Sequence, residues 1–214
     1  MKESRLKRER GRSGKPLKRT AESRRELRTI LVFCEGKNTE PDYVGGLKRL
    51  PQVQENTALN IEIHPDQGAP LTLVEMAVRR IDDPEVDECW CLFDVEWPQN
   101  HPNLDAALTL ADANGIRLAI SNPCFEVWLI LHYQDHTRFE NTSAVEKASR
   151  LLDRRKGKTI DAAAYMPLRQ AASRRAAALD RRHARDGNVF PNNNPSSGMY
   201  RFIEAVEESQ EPRA

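Results

Sequence analysis

Short runs of consecutive apolar residues alternate along the chain with longer stretches in which apolar positions recur every three or four residues, the respective marks of buried strands and amphipathic helices. The run TILVFC predicts a strand over 29–34. A helical stretch over 39–50 follows, with Thr39 as its N-cap and Asp42 three residues on. A short strand over 61–64 leads through PDQGAP into a helix over 71–81, and a third strand over 89–94 precedes a helix over 104–114 that Gly115 terminates. A fourth strand over 116–120 runs into Ser121, Asn122 and Pro123, a cap with proline in the first turn of a helix reaching Tyr133.

Four β-α repeats of this kind imply a parallel sheet covered on both faces, and strands that are apolar throughout fit that double burial. Beyond Tyr133 the periodicity is helical, over 143–155, 168–185 and 199–208, with the polar stretch GNVFPNNNPSSG before the last helix and no internal repeat. The expected fold class is therefore α/β: a mostly parallel sheet flanked by helices (29–137), a helical C-terminal extension packing on it (138–214) and a basic N-terminal tail (1–28). The tail has almost nothing apolar to bury and is expected to be disordered.

The length, 214 residues, suits one core of ordinary size. The net charge of +1 hides a strong pattern. Residues 1–28 carry 12 basic and 4 acidic side chains, residues 29–137 carry 6 and 18, and residues 138–185 carry 13 and 5, so an acidic centre lies between two basic ends. No apolar run is long enough to span a membrane and no apolar signal segment opens the chain, so a soluble, cytoplasmic protein is expected. Cys34, Cys89, Cys91 and Cys124 show no paired metal-type spacing and read as reduced core thiols.

In an open α/β sheet, loops at the carboxyl ends of the strands line the ligand crevice. Glu35 follows the first strand directly, Asp66 the second, Asp94 and Glu96 close the third, and Glu126 lies in the first turn of the helix after the fourth. Each acid alone fits a solvated loop or a dipole-stabilised first turn. As a group they converge on one edge, where mutual repulsion calls for a cation. A hard ion such as Mg²⁺ (or Mn²⁺) suits a few carboxylates that also receive a phosphate oxygen. Two such ions can clamp the attacking and leaving oxygens of a phosphodiester, with the basic ends holding the polyanion. CEGKNTE lacks the spacing of a phosphate-binding loop, no dinucleotide or hydrolase-elbow motif is present, and His132 and His136, four apart, lack a third partner for a metal.

The segments ILVFCEGKNTEPDYVGGL, CLFDVE and AISNPCFEVWLILHY, in this order and spacing, together with NNNPSSGMYRFIEAV near the end, resemble the RloB family over about residues 29–208. SNPCFEVWLILH is the most specific of them. RloB proteins are similar in turn to Toprim-domain proteins, including OLD-type nucleases, and occur in bacterial restriction and abortive-infection defence. The resemblance implies a Toprim-like sheet whose Glu after the first strand and DxD after a later one bind Mg²⁺: here Glu35, then Asp94 and Glu96, with Glu40 and Glu126 as further ligands. Glu96 departs from the family's second Asp, and its longer arm moves the ligating oxygen by about one methylene.

The implied function is a Mg²⁺-dependent nuclease acting on RNA or DNA in phage defence. Its partners are nucleic acid and a protein such as an ATPase of the same defence system, with no membrane. Lys37 would stabilise phosphate charge, and Arg174, Arg175, Arg181 and Arg182 would grip the backbone. The rival is a non-catalytic module of this fold that binds nucleic acid or regulates a defence complex.

Overall fold

A computed structural model describes residues 27–63 and 69–207. Nearly all of the expected tail, together with Asp66, lies outside the described residues. The chain runs β1 (Arg28–Cys34), α1 (Thr39–Lys48), α2 (Pro51–Asn56), β2 (Thr57–Ile63), α3 (Pro70–Val78), β3 (Glu88–Asp94), α4 (Leu104–Ala113), β4 (Arg117–Asn122) and α5 (Glu126–Tyr133). Then come α6 (Thr142–Asp153), α7 (Ala162–Tyr165), a 3₁₀ turn (Met166–Leu168), α8 (Arg169–Asp186), β5 (Ser196–Ser197) and α9 (Met199–Glu207).

The expected α/β class and mostly parallel sheet are present. The five strands lie in the order β2-β1-β3-β4-β5, parallel except for β5, which pairs antiparallel with the end of β4. Period-two alternation splits the sheet cleanly. Ile30, Val32, Cys34, Trp90 and Leu92 face a core shared with α1, α2, α5, α8 and α9. Leu31, Phe33, Cys89, Cys91 and Phe93 face a second core under α3 and α4. Because β1 connects outward to β2 and the chain then returns past β1 to β3, the strand order reverses between β1 and β3. The carboxyl ends of those two strands therefore flank the crevice where open α/β sheets bind ligands.

All four cysteines are buried and free, as expected of core thiols. Among the described residues no helix is long and apolar enough to cross a membrane.

Several local expectations are corrected. Thr39 begins α1 but does not cap it; its hydroxyl donates to the Lys158 carbonyl at 2.8 Å. The helix expected to reach residue 50 stops at Lys48, and a separate helix starts with Pro51 in its first turn. The segment Ser121–Pro123 is not a helix cap: β4 continues through Asn122, whose amide donates to the Pro191 carbonyl (2.8 Å) and to Asn193 (3.0 Å), and α5 starts only at Glu126. The polar stretch before α9 also holds β5, fixed by the Gly198 N–H donating to the Ile120 carbonyl at 2.8 Å.

His132 occupies a wholly different setting from His136, which lies beyond the end of α5. It is buried among Tyr43, Trp128 and Tyr165, edge to face with each. Its Nδ1 meets the Trp128 carbonyl at 2.8 Å and its Nε2 meets the Tyr43 hydroxyl at 3.0 Å, so a neutral ring donates to the first and accepts from the second. Burial, reinforced by Arg175, pushes its pKa down to about 4, against a partial opposing pull from the Trp128 carbonyl.

A depressed pKa gives stability that is present above the unfolded value and lost as pH falls through the folded one. The protein should lose about 3 kcal/mol between pH about 6.5 and about 4 through this ring. Urea unfolding of wild type and His132→Asn across that window checks it: the variant, already weaker at neutral pH, should show a correspondingly flatter slope.

Candidate functional site

At the reversal point a pocket of about 360 Å³ opens at the carboxyl ends of the strands. Glu35, Lys37, Glu40, Asp94, Glu96 and Glu126, all singled out from the sequence, line it together, with His101, Cys124, Glu146 and Lys158. They come from four places. Glu35 and Lys37 leave β1, Glu40 sits in the first turn of α1, Asp94 and Glu96 close β3, and Glu126 opens α5.

The backbone fixes these positions. The Glu35 N–H donates to the Leu92 carbonyl (3.1 Å), and the Asp94 N–H donates to Glu35 Oε2 (3.1 Å), so the β1 and β3 carboxylates are registered by the sheet itself. Gly36 allows a close approach: its N–H donates to Glu40 Oε1 at 3.2 Å, and a Cβ there would lie 2.3 Å from the other Glu40 oxygen, so a side chain at this position would displace that carboxylate. After Asp94, Val95 turns into the second core, and Glu96 adopts a left-handed backbone (φ 65°), a conformation that costs a non-glycine residue about 1–2 kcal/mol. Its N–H donates to the Pro123 carbonyl at 2.8 Å, which holds the turn and swings its carboxylate to the pocket.

The charges are unevenly compensated. His101 Nε2 lies 2.7 Å from Glu35 Oε1, and that contact raises the imidazole pKa against an opposing desolvation. Arg155 reaches Glu126 at 3.4 Å, and the Thr142 hydroxyl donates to Glu96 Oε2 at 2.6 Å. Among the described residues no cation pairs with Asp94 or Glu40. Burial, then the charges of Glu40, Glu35, Glu126 and Glu96, holds the Asp94 carboxyl well above the usual carboxylate range. Burial, with Glu126 and Glu35 adding to it, pushes Glu40 up to about 7 despite two backbone hydrogen bonds. Cys124 is raised by burial and by Asp94 and Glu126, so it presents a neutral thiol.

Such a set fits a hard divalent cation. The donors are oxygens, and the excess negative charge at Asp94 and Glu40 is what a cation would relieve. Among the described residues no three His, Cys, Asp or Glu side chains stand already gathered as a metal-binding group. Mg²⁺ needs only one or two direct carboxylates when it keeps its waters, so the donor chemistry remains suitable.

The expected arginine grip is not part of this pocket. Arg174, Arg181 and Arg182 are exposed on α8, Arg181 beside a separate groove that also includes Arg201 and Phe190. Arg175 is half-buried, donates to the Leu131 and His132 carbonyls (2.7 and 3.0 Å) and pairs with Asp135, which closes the carboxyl end of α5.

His101, Thr142, Arg155 and Lys158 were missed from sequence. Each lies in or beside an irregular segment, with His101, Thr142 and Arg155 far along the chain from the acids they touch, and none has a local pattern that points to the pocket.

The family model described as RloB-like protein matches residues 30–206. No curated protein and no solved structure matches the chain.

Proposed function

The chain belongs to the RloB-like protein family, and from that membership and the pocket we propose that it is a Mg²⁺- or Mn²⁺-dependent nuclease acting in bacterial phage defence. The observation that carries this reading is the convergence of six carboxylates and two lysines at the reversal point between β1 and β3. The likeness to Toprim domains belongs to the same proposal. It is supported by an acid directly after β1 and an acid pair at the end of β3, both facing one pocket.

Asp94, Glu35 and Glu96 would hold the ion, one or two of them directly and the rest through its waters, with Glu40 or Glu126 completing a second site or orienting water. When bound it supplies Lewis-acid polarisation of the phosphate. Lys37 and Lys158, exposed at the mouth, neutralise non-bridging phosphate oxygens and draw the polyanion past the acidic wall. Glu35, held by the Asp94 N–H and His101, is oriented to accept a proton from attacking water. His101 in turn fixes the rotation of that carboxylate. A partner protein such as an ATPase, a cytoplasmic setting and the basic segments as backbone contacts complete the proposal.

Calorimetric titration of the purified protein with Mn²⁺ tests it first. Binding should be seen in wild type and lost in Glu35→Gln at an equal folded fraction. Absence of ion binding both with and without added oligonucleotide would defeat the reading.

One observation favours the rival, a regulatory nucleic-acid-binding subunit: Glu35, Glu96 and Glu126 already have partners in His101, Thr142 and Arg155. Under that reading, oligonucleotide binding survives both chelation and Glu35→Gln.

A further inference from the structure

Large apolar side chains left in water need a reason when they touch one another beside a pocket. Trp97 and Phe139 are 39% and 56% exposed, with ring centroids 5.4 Å apart and planes at 78°. They are the only exposed aromatic residues among the large hydrophobic side chains of the described residues.

The pair is tied to the carboxylates. Trp97 follows Glu96 directly. Its N–H donates to Thr142 Oγ1 at 3.1 Å, and its carbonyl accepts from the Thr142 N–H at 3.1 Å. The same Thr142 hydroxyl donates to Glu96 Oε2 at 2.6 Å. A single threonine thus indexes the Trp97 backbone to a pocket acid, so the ring stands at a fixed offset from the reacting centre. Phe139 approaches from the segment that leads into α6 and supports Trp97 edge-on.

Exposed cations lie next to the pair in sequence and at the neighbouring pocket. Arg138, adjacent to Phe139, is 80% exposed and pairs with Glu140 at 3.4 Å, and Lys37 and Lys158 line the mouth of the pocket that Glu96 enters. Aromatic faces interleaved with cations beside an acidic centre are the elements of single-strand recognition. Bases stack on the rings, and the backbone follows the positive charges. A duplex buries its base faces in its own stack and offers nothing to such a platform.

We propose that Trp97, supported by Phe139, stacks an unpaired nucleobase, so that the substrate class is a single-stranded or unpaired stretch of nucleic acid. The inference rests on the reading of the pocket as a phosphodiester site and adds the form of the substrate.

The test uses the full chain and a short fluorescein-labelled single strand, in RNA and DNA versions, against the same sequence as a blunt duplex. Anisotropy is read with Ca²⁺ present, and cleavage is read with Mg²⁺. Trp97→Ala should weaken single-strand binding by about tenfold to a hundredfold and leave duplex binding within about twofold. Trp97→Phe should recover most of the loss. Trp90 and Trp128 are buried, so quenching of intrinsic fluorescence by an unlabelled strand should vanish in Trp97→Phe.

Failure of the two readings is distinguishable. If Asp94→Asn leaves cleavage unaltered while Trp97→Ala still selectively loses the single strand, the pocket reading fails and the platform stands. If Asp94→Asn abolishes cleavage while Trp97→Ala binds and cleaves like wild type, the platform is overturned. Equal loss for strand and duplex overturns it as well. So does a wild type that binds no single strand, and self-association lost in Trp97→Ala would then assign the aromatic pair to a protein contact.

Discussion

Asp94→Asn is expected to stabilise the ion-free protein by about 1–2 kcal/mol while lowering divalent-ion-dependent cleavage by at least about a hundredfold. The two effects have one origin. The Asp94 carboxyl stands at the end of β3 amid Glu35, Glu40, Glu96 and Glu126, and burial together with these charges raises its pKa well above the ordinary range. An amide of the same shape keeps the packing and the Asp94 N–H bond to Glu35. It removes a carboxyl that the fold ionises only at a cost in the absence of a cation. Urea unfolding with EDTA, repeated in excess Mg²⁺, reads the first effect, and the variant's advantage should shrink or reverse when the ion is added. Single-turnover cleavage reads the second. A variant that is less stable than wild type in EDTA would show that the cluster is not under repulsion.

The opposite sign is expected at Arg155. Its side chain is 7% exposed and donates to Asp153 Oδ2 (2.6 Å) and Ser149 Oγ (2.9 Å), and it reaches Glu126 at 3.4 Å. Asp153 also accepts the Tyr165 hydroxyl at 2.5 Å. Arg155→Met retains much of the volume but leaves two carboxylates without their cation, one of them inside the pocket. Breaking a buried pair from one side costs about 3–5 kcal/mol. Adding Glu126→Gln to Arg155→Met should restore part of that loss, and a double-mutant cycle on unfolding free energies gives the coupling. Additive single effects would mean that Arg155 acts only through Asp153 and the α6 end.

What could be read from the chain in advance follows the physics of each segment. β1, β3 and β4 are apolar on both faces, and such runs are legible because no other soluble arrangement buries them. β2 was expected to start four residues late, and α2 was not expected. The intervening PQVQENTALN is polar and mixed, and its structure depends on Val53 and Leu59 reaching the core shared with α9. β5 is two residues long and exists because Gly198 lets the chain approach the β4 backbone, where a Cβ would stand 3.1 Å from the Ile120 nitrogen.

The site divides in the same way. Acids that terminate strands are placed by topology, so Glu35, Asp94 and Glu96 could be located from spacing. The groups that hold them could not. His101 depends on an irregular loop held by scattered bonds, among them its own N–H to the Val95 carbonyl and the Glu96 N–H to the Pro123 carbonyl, and Thr142 and Arg155 come from the two ends of α6.

The end of α9 returns to the strands' starting edge. The Arg28 guanidinium donates to the Ala205 carbonyl, and the Thr57 hydroxyl donates to the Val206 carbonyl at 3.2 Å. The first and last described turns of the chain therefore meet at one corner, and the acidic pocket opens at the other end of β1, about 20 Å away for seven residues of strand. That separation makes the corner a handle. In a chain trimmed to residues 27–207, a reporter or an affinity tag fused there would lie at the opposite end of the strands from the pocket acids. A circular permutant of the same residues, joined there by a short linker and opened in an exposed loop, would keep every pocket acid on its original strand.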